Sequence, residues 1–155
     1  MADNTKTRRP ILLWLLVLLL VVEGITAGFG GLSLVLKPDG SGLQLPPEFI
    51  QNSPFPNYFI PGLVLFTLVG LYPILVAFCL LFKPGWHWPD ALNPWKGYHW
   101  SWAASLAAGI IIMLWIIVQY AMLRIYFILQ PIIFAWGLAI VLLTVLPPVR
   151  RYCKR

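Results

Sequence analysis

The sequence predicts an all-α membrane protein in which four transmembrane helices form an antiparallel bundle, with a short interfacial helix in the outer loop. Composition is the first observation: of 155 residues, 60% are hydrophobic and only 10% are charged. Soluble domains carry about 25% charged residues. The second observation is that the apolar residues form runs long enough to cross a bilayer core, which takes about 20 residues in a helix. Lipid is therefore the expected solvent for most of the chain.

The first helix is predicted at 11–36. Its apolar run ILLWLLVLLLVV is interrupted by Glu23 and then resumes as GLSLVL. KTRR followed by an apolar run is also typical of a secretory signal peptide, which would need a short apolar core and a cleavage site. Because the apolar run resumes after Glu23, we expect a membrane span here, with a cleaved signal as the alternative.

The outer loop is predicted at 37–57 and the second helix at 58–82. KPDGSG has the chemistry of a turn, because proline sets φ and glycine accepts positive φ. PPEFIQNS predicts a short helix with prolines at its start. Within the second helix, Pro61 falls in the first turn, whereas Pro73 lies in the interior and is expected to kink the helix.

The inner loop, 83–100, contains four of the eight tryptophans. Such clustering is typical of an aromatic belt at the level of the lipid headgroups. His87, Asp90 and His99 are spaced unlike the ligands of any common metal site. We therefore expect no metal site and no cofactor, and we expect Cys79 and Cys153 to be free thiols.

The third and fourth helices are predicted at 101–121 and 125–147. They share one apolar run from 102 to 146, which is too long for one span and suits two. Arg124 is the strong charge near the middle of that run, so a tight turn is expected there. Residues 1–10 and 148–155 are left as cytoplasmic tails.

The distribution of basic residues predicts the orientation. With four spans, one side of the membrane carries only Lys37 and Arg124, and cytoplasmic loops are the ones enriched in lysine and arginine. The other side, where both termini lie, is therefore expected to be cytoplasmic. Its nine basic residues are Lys6, Arg8, Arg9, Lys83, Lys96, Arg150, Arg151, Lys154 and Arg155.

Glu23 falls near the middle of the first span, where an acidic side chain costs roughly 2.5 to 3.5 kcal/mol on insertion scales. Such a residue is expected to face protein or water. Gly24 and Gly28 form a GxxxG motif on the adjoining face, where small residues let another helix approach closely. The residues expected to share the side of Glu23 are also small: Thr26, Ala27, Gly30 and Gly31. The helix-packing residues are thus predicted to be Gly24, Gly28, Gly30 and Gly31.

Three polar residues of the third and fourth helices are candidate partners for Glu23, namely Gln119, Arg124 and Gln130. All lie toward the outer ends of their helices, and Arg124 is the cation among them. A Glu23–Arg124 contact, direct or through a glutamine or water, would offset part of both burial costs. If the fourth helix already includes Phe127, Pro131 also leaves that residue's carbonyl free, because proline has no N–H. The predicted site is an intramembrane polar cluster of Glu23, Gln119, Arg124 and Gln130.

Two resemblances add to these expectations. The D-x-x-G turn at Asp39 and Gly42, the segment SPFPNYFIPG at 53–62 and the Q-x-x-x-x-R-x-x-x-x-x-Q-P pattern at 119–131 resemble a set of small uncharacterised four-helix bacterial membrane proteins. This implies a four-helix fold in a bacterial inner (cytoplasmic) membrane and no particular activity. Glu23 with its neighbours Gly24 and Thr26 is also similar to the first helix of small multidrug-resistance transporters.

The function predicted from the sequence is that of a structural or accessory protein of the membrane. No nucleotide-binding loop, nucleophile elbow or HExxH motif is present in the sequence, so no enzymatic activity is expected. The basic residues cluster beside apolar spans, so the expected partners are the lipid bilayer and a membrane protein or a second copy of the chain, with no nucleic acid. The alternative is a small transporter or ligand-binding protein that uses Glu23 as a proton- or cation-binding carboxylate.

Overall fold

A computed structural model describes residues 9–155, so most of the predicted tail 1–10, including Lys6 and Arg8, lies outside the described residues. The all-helical prediction is confirmed: the regular structure of the described residues is helical, apart from one isolated bridge between Tyr98 and Lys154. Six α-helices follow one another along the chain: α1 Ile11–Leu36, α2 Phe59–Phe82, α3 His87–Leu92, α4 Trp100–Leu123, α5 Leu129–Val145 and α6 Pro147–Cys153.

Three of these helices, α1, α2 and α4, are each long and apolar enough to cross a membrane. The helices α5 and α6 form a fourth such unit only if they are taken together, and they are bent by 62° relative to each other. These lengths and compositions are those of a multi-pass membrane protein.

The loop between α1 and α2 differs from the prediction of one short helix. It contains two single 3₁₀ turns, Ser41–Leu43 and Pro47–Phe49. The two turns are separated by Gln44, which adopts a left-handed φ of 54°, and by the extended Pro46, whose missing N–H cannot continue a helical ladder. The buried Tyr58 holds the loop in place, since its hydroxyl donates to the Pro46 carbonyl at 2.9 Å.

The second predicted helix, 58–82, is observed as one helix that continues through Pro73. The seven residues Leu65–Leu71, which end two positions before Pro73, are wound as a π-helix. In an α-helix the N–H of residue 73 would pair with the Val69 carbonyl, and proline has no N–H to donate. The wider turn absorbs this misfit, so the helix changes its winding at this point and does not break.

The connection between the third and fourth predicted helices is longer than expected. The helix α4 ends at Leu123, where Arg124 adopts a left-handed φ of 51°. The helix α5 begins only at Leu129, which makes it shorter than the predicted 125–147. Pro131 therefore lies in the first turn of α5, where its missing N–H costs little. The Phe127 carbonyl is not free, because it accepts a hydrogen bond from the Gln130 backbone N–H at 3.0 Å.

The four long helices are arranged in a ring. The helix α1 packs against α2 along its length and against α5, and α4 packs against the same two helices. This places α1 and α4 at opposite corners. We call the end where α1 begins and α5 ends the tail end, and the opposite end the loop end. At the tail end, the Arg9 guanidinium donates to the Leu81 carbonyl, so α1 begins beside the end of α2.

Glycines set the distance between α1 and α2. A Cβ placed on Gly70 would lie 2.8 Å from the Cα of Gly28, and a Cβ on Gly31 would fall on the backbone of Phe66. On Gly24, a Cβ would meet the carbonyl oxygen of Gly70 at 2.7 Å. The two backbones are thus in direct contact, which requires residues without a side chain.

The pair α4 and α5 is built in the same way. A Cβ on Gly109 would lie 2.7 Å from the Gly137 carbonyl oxygen, and one on Gly137 would lie 2.9 Å from the Gly109 carbonyl oxygen. Two α1 glycines have room for a Cβ, which would lie 4.0 Å from the Gly70 Cα on Gly28 and 3.7 Å from Leu65 on Gly30. The bundle therefore consists of two pairs, α1/α2 and α4/α5, each closed by glycines.

The core that joins the two pairs is concentrated at the tail end. Beyond Ile116 of α4, and before Gly137 of α5, Gln130 is the one buried residue of these two helices. The leucine, isoleucine and valine side chains that are less than 2% exposed lie in the tail-end half or in the middle of their helices: Leu13, Leu16, Leu20, Val69, Val76, Leu80, Ile112, Ile140 and Val149.

The last predicted tail, 148–155, is instead largely helical and packed under the bundle. Val149 and Cys153 of α6 are fully buried. The Tyr152 hydroxyl donates to the Leu80 carbonyl at 3.2 Å, and the Lys83 ammonium donates to the Tyr152 carbonyl. Burial beside α6 lowers the pKa of Lys83. The chain end therefore closes the tail end of the bundle.

Candidate functional site

The Glu23 side chain is only 7% exposed. It lies on the buried stripe of α1, between Leu20 and Ala27, one turn beyond the densest part of the core. Thr26, which was expected to share this side, is exposed. Its hydroxyl donates back to the Val22 carbonyl at 2.9 Å, which satisfies the hydroxyl without any other helix.

The helix α5 faces Glu23. The Trp136 indole N–H of α5 donates to the Leu19 carbonyl of α1 at 3.1 Å. Residues 19 and 23 lie on the same side of a helix, one turn apart. Gly24, the next residue along the chain, instead meets Gly70 of α2. The Glu23 side chain therefore points to the seam between α1 and α5, while the glycine beside it forms the seam with α2.

The Glu23 carboxyl has no hydrogen bond and no ion pair with any residue of 9–155. The one ion pair in that range joins Arg155 to Asp90. Every fully enclosed side-chain polar atom in the same range has a hydrogen-bond partner. The unpaired oxygens of Glu23 are therefore not fully enclosed, and they keep narrow access to the surroundings.

Among residues 9–155, the structure shows no direct hydrogen bond or ion pair between Glu23 and the other residues of the predicted polar cluster. Gln130 is buried, but it is satisfied within its own turn: its side-chain oxygen accepts from the Phe127 N–H at 3.1 Å, and its amide donates to the Ile125 carbonyl at 3.3 Å. Arg124 ends α4 in a left-handed conformation and is exposed. Gln119 is half-buried. No hydrogen bond or ion pair among the described residues joins any of these three side chains to Glu23.

The buried polar network of the bundle lies elsewhere, at the tail end between α4 and α5. The Ser105 and Thr144 hydroxyls are 2.9 Å apart, and the Trp102 indole N–H donates to the Thr144 carbonyl at 2.8 Å. The sequence signal for this network is the small-residue spacing of Ser101, Ser105 and Gly109 on α4. That spacing predicts a packing surface, but it does not identify which polar group meets it.

Three residues of the inner loop were considered as metal ligands, namely His87, Asp90 and His99, and they have separate surroundings. The buried His99 precedes α4, with Nδ1 2.8 Å from the Ser101 hydroxyl and Nε2 3.2 Å from the Pro84 carbonyl. Burial lowers the pKa of His99. Both carboxylate oxygens of Asp90 accept hydrogen bonds from Arg155, which lowers the pKa of Asp90. His87 is exposed. In residues 9–155, no three histidine, cysteine or acidic side chains are grouped to hold a metal ion.

In comparisons with known proteins, no family model matches the chain, and no curated protein or solved structure gives a significant match. The chemistry of Glu23 follows from its surroundings. A buried carboxyl with narrow access can accept a hydrogen bond, bind a proton or pair with a cation, and each of these removes the cost of an unpaired charge.

Proposed function

We propose that this chain is a small accessory protein of the bacterial inner membrane. In this proposal, α1, α2, α4 and α5 form an antiparallel four-span bundle with cytoplasmic termini, and Glu23 recognises a polar or cationic group of a partner membrane protein. The single observation that carries the proposal is the buried Glu23 carboxyl, which lacks a partner within residues 9–155.

Energetics support a partner outside the chain. An acidic side chain at this depth costs roughly 2.5 to 3.5 kcal/mol on insertion scales, and a donor or cation would offset part of that cost. The bundle places Glu23 just beyond the shared core, where the loop-end parts of α4 and α5 are mostly exposed. In this proposal, a transmembrane helix of the partner approaches the α1–α5 seam at this level.

The positions of the basic residues support the proposed orientation. Three basic residues lie at the tail end. Arg9 contacts Leu81, Lys83 contacts Tyr152, and Arg155 contacts Asp90. Lys37 follows the end of α1, and Arg124 follows the end of α4, so both are at the loop end. This unequal distribution of basic residues supports an orientation in which the tail end faces the cytoplasm.

A reporter fused after Arg155 tests this orientation. We expect an alkaline phosphatase fusion there to be inactive and a fluorescent protein fusion to be bright, because the first needs the periplasm and the second the cytoplasm. A matched pair of fusions inserted after Gln51, in the exposed outer loop, is expected to give the reverse pattern. A highly active phosphatase fusion after Arg155 would rule out cytoplasmic termini.

The role of Glu23 is tested by Glu23→Gln, with Glu48→Gln in the exposed outer loop as the matched control. We expect the wild-type chain and Glu48→Gln to migrate as a complex on a native gel after gentle detergent extraction. Glu23→Gln should release the partner while keeping its helical content, since the amide preserves shape but weakens charge-assisted pairing. The proposal is falsified if Glu23→Gln retains the complex and changes only the detergent stability.

A second candidate is a small transporter or ligand-binding protein in which Glu23 binds a proton or a cationic ligand. The same unpaired carboxyl and its residual access favour it. In that case the wild-type chain should catalyse pH-dependent uptake of a cation in proteoliposomes, and Glu23→Gln should abolish the uptake. The two candidates are separated by whether Glu23→Gln loses a protein partner or a transport activity.

A further inference from the structure

A cavity of about 430 Å³ lies at the tail end, between α2, α4 and the inner loop that carries α3. This volume is within the range of about 300 to 1,000 Å³ that is typical of ligand pockets. We call the side lined by small residues of α4 its floor, and the side lined by the exposed tryptophans of the inner loop its mouth. The residues that matter for its chemistry are Ala103, Ala104, Ala107, Trp86, Trp88 and Trp95.

The interior of the cavity is apolar. The Tyr72 hydroxyl, which could have made it polar, donates to the Ala104 carbonyl at 3.0 Å. The Trp100 indole N–H is likewise occupied by the Pro84 carbonyl. With these groups satisfied, the wall between α2 and α4 presents Leu75, Val76 and the alanines of α4. Such a surface suits a hydrocarbon chain.

The mouth of the cavity offers hydrogen-bond donors. The Trp86 and Trp88 rings are 38% and 67% exposed. Their indole N–H groups make no hydrogen bond with any residue of 9–155, and an indole nitrogen can only donate. Lys96 donates to the carbonyls of Asp90 and Ala91, which lie in α3 between the cavity-lining residues Pro89 and Leu92. An ammonium has three donors, so one is left for a ligand.

The charge of this end favours an anion. Residues 83–100 and 147–155 carry six basic side chains, namely Lys83, Lys96, Arg150, Arg151, Lys154 and Arg155. Asp90 is the one acidic residue of these segments, and Arg155 pairs with it. The surrounding charge disfavours a cationic ligand at these tryptophans, since a cation would be repelled.

We propose that this cavity is a binding site for an anionic phospholipid. One acyl chain lies between α2 and α4 over the alanines, and the phosphate accepts hydrogen bonds from Trp86, Trp88 and Lys96. The proposal goes beyond the role of Glu23, because the two sites lie on different seams of the bundle.

Lipid titration tests the site. Delipidated protein in detergent is titrated with phosphatidylglycerol and phosphatidylcholine of identical chains, and binding is followed by native mass spectrometry and by the shift in Tm. We expect the phosphatidylglycerol to bind about tenfold tighter or better, because both lipids present the phosphate but only phosphatidylcholine adds a choline cation, which the basic side chains of this end repel. Equal binding of the two lipids to the wild-type chain would overturn the proposal.

Two substitutions and one control locate the binding. Ala107→Leu fills the floor of the cavity and should weaken the phosphatidylglycerol by about tenfold, whereas Ala121→Leu, on an exposed part of the same helix, should not. Trp88→Phe keeps the ring but removes the N–H that would donate to the phosphate, so it should weaken the binding of phosphatidylglycerol. Trp88 is exposed, so this variant decides the question if Ala107→Leu does not fold.

The outcomes separate the phospholipid from simpler ligands. Wild-type binding by both Ala107→Leu and Trp88→Phe would place the lipid elsewhere on the surface and reject the site. A free fatty acid that binds as tightly as phosphatidylglycerol would show that the phosphate is not recognised, which also rejects the proposal. We expect Glu23→Gln to bind phosphatidylglycerol as the wild-type chain does, whether or not it loses a partner or a transport activity. The two proposals can therefore fail independently.

Discussion

Gly31→Ala is expected to lower the free energy of unfolding by about 1 to 3 kcal/mol, the usual cost of overpacking a close contact. The added Cβ would fall on the backbone N and Cα of Phe66 and would lie 2.8 Å from the Gly62 carbonyl oxygen. Backbone atoms of a helix cannot rotate away as a flexible side chain does. The helices α1 and α2 would have to separate, and the contact of Gly28 with Gly70 would loosen with them.

The adjacent glycine provides the control. A Cβ on Gly30 would make an ordinary contact with Leu65, so Gly30→Ala should be neutral or stabilising, by up to about 1 kcal/mol from helix propensity. Both variants are measured by equilibrium unfolding in mixed micelles, with far-UV circular dichroism as the signal. Equal stability of Gly30→Ala and Gly31→Ala would contradict direct backbone contact between α1 and α2 at Gly31.

Val149→Asp is expected to destabilise the protein by about 3 kcal/mol or more, because it places a polar or charged group where no water reaches it. Val149 is 0% exposed and belongs to the main hydrophobic core through α6. The substitution should release α6 from the bundle, and with it the contacts of Tyr152 with Leu80 and Lys83. Protease accessibility of the last residues should then rise.

The control for this prediction is Arg151→Ala, two residues away in the same helix. Arg151 is exposed, so its removal should change stability by less than about 0.5 kcal/mol. Limited proteolysis and thermal unfolding together report on both variants. If Val149→Asp leaves protease resistance and Tm unchanged, α6 is a free tail in solution and does not close the bundle.

The first helix shows how far hydropathy alone leads. It is predicted at 11–36 and observed as Ile11–Leu36, because a long apolar run next to a polar segment defines both of its ends. The second helix, predicted at 58–82, is observed as Phe59–Phe82. The boundary between α4 and α5 was less predictable: a five-residue turn, shaped by the left-handed Arg124 and the side-chain bonds of Gln130, lies inside one continuous apolar run.

The C-terminal segment shows that a count of charged residues does not reveal the apolar face of a short helix. Residues 148–155 have four basic residues and were predicted to be a tail, yet Val149, Tyr152 and Cys153 recur at helical spacing and pack on the bundle. The helical spacing is present in the sequence, but a seven-residue helix is not stable by propensity alone. Only the receiving surface, formed by α1, α4 and α5, makes this helix possible.

The sequence by itself determined the all-helical class, the apolar segments, the placement of basic residues and the presence of an acidic residue within the first apolar helix. These are local properties, set by the cost of placing each segment in lipid. The tertiary structure alone decided what each polar group meets. Gln130 is satisfied within its own turn, and Arg124 is exposed. Glu23 faces the α1–α5 seam without a partner in residues 9–155. The glycines of α1 allow backbone contact with α2, and α5 contacts α1 on another side.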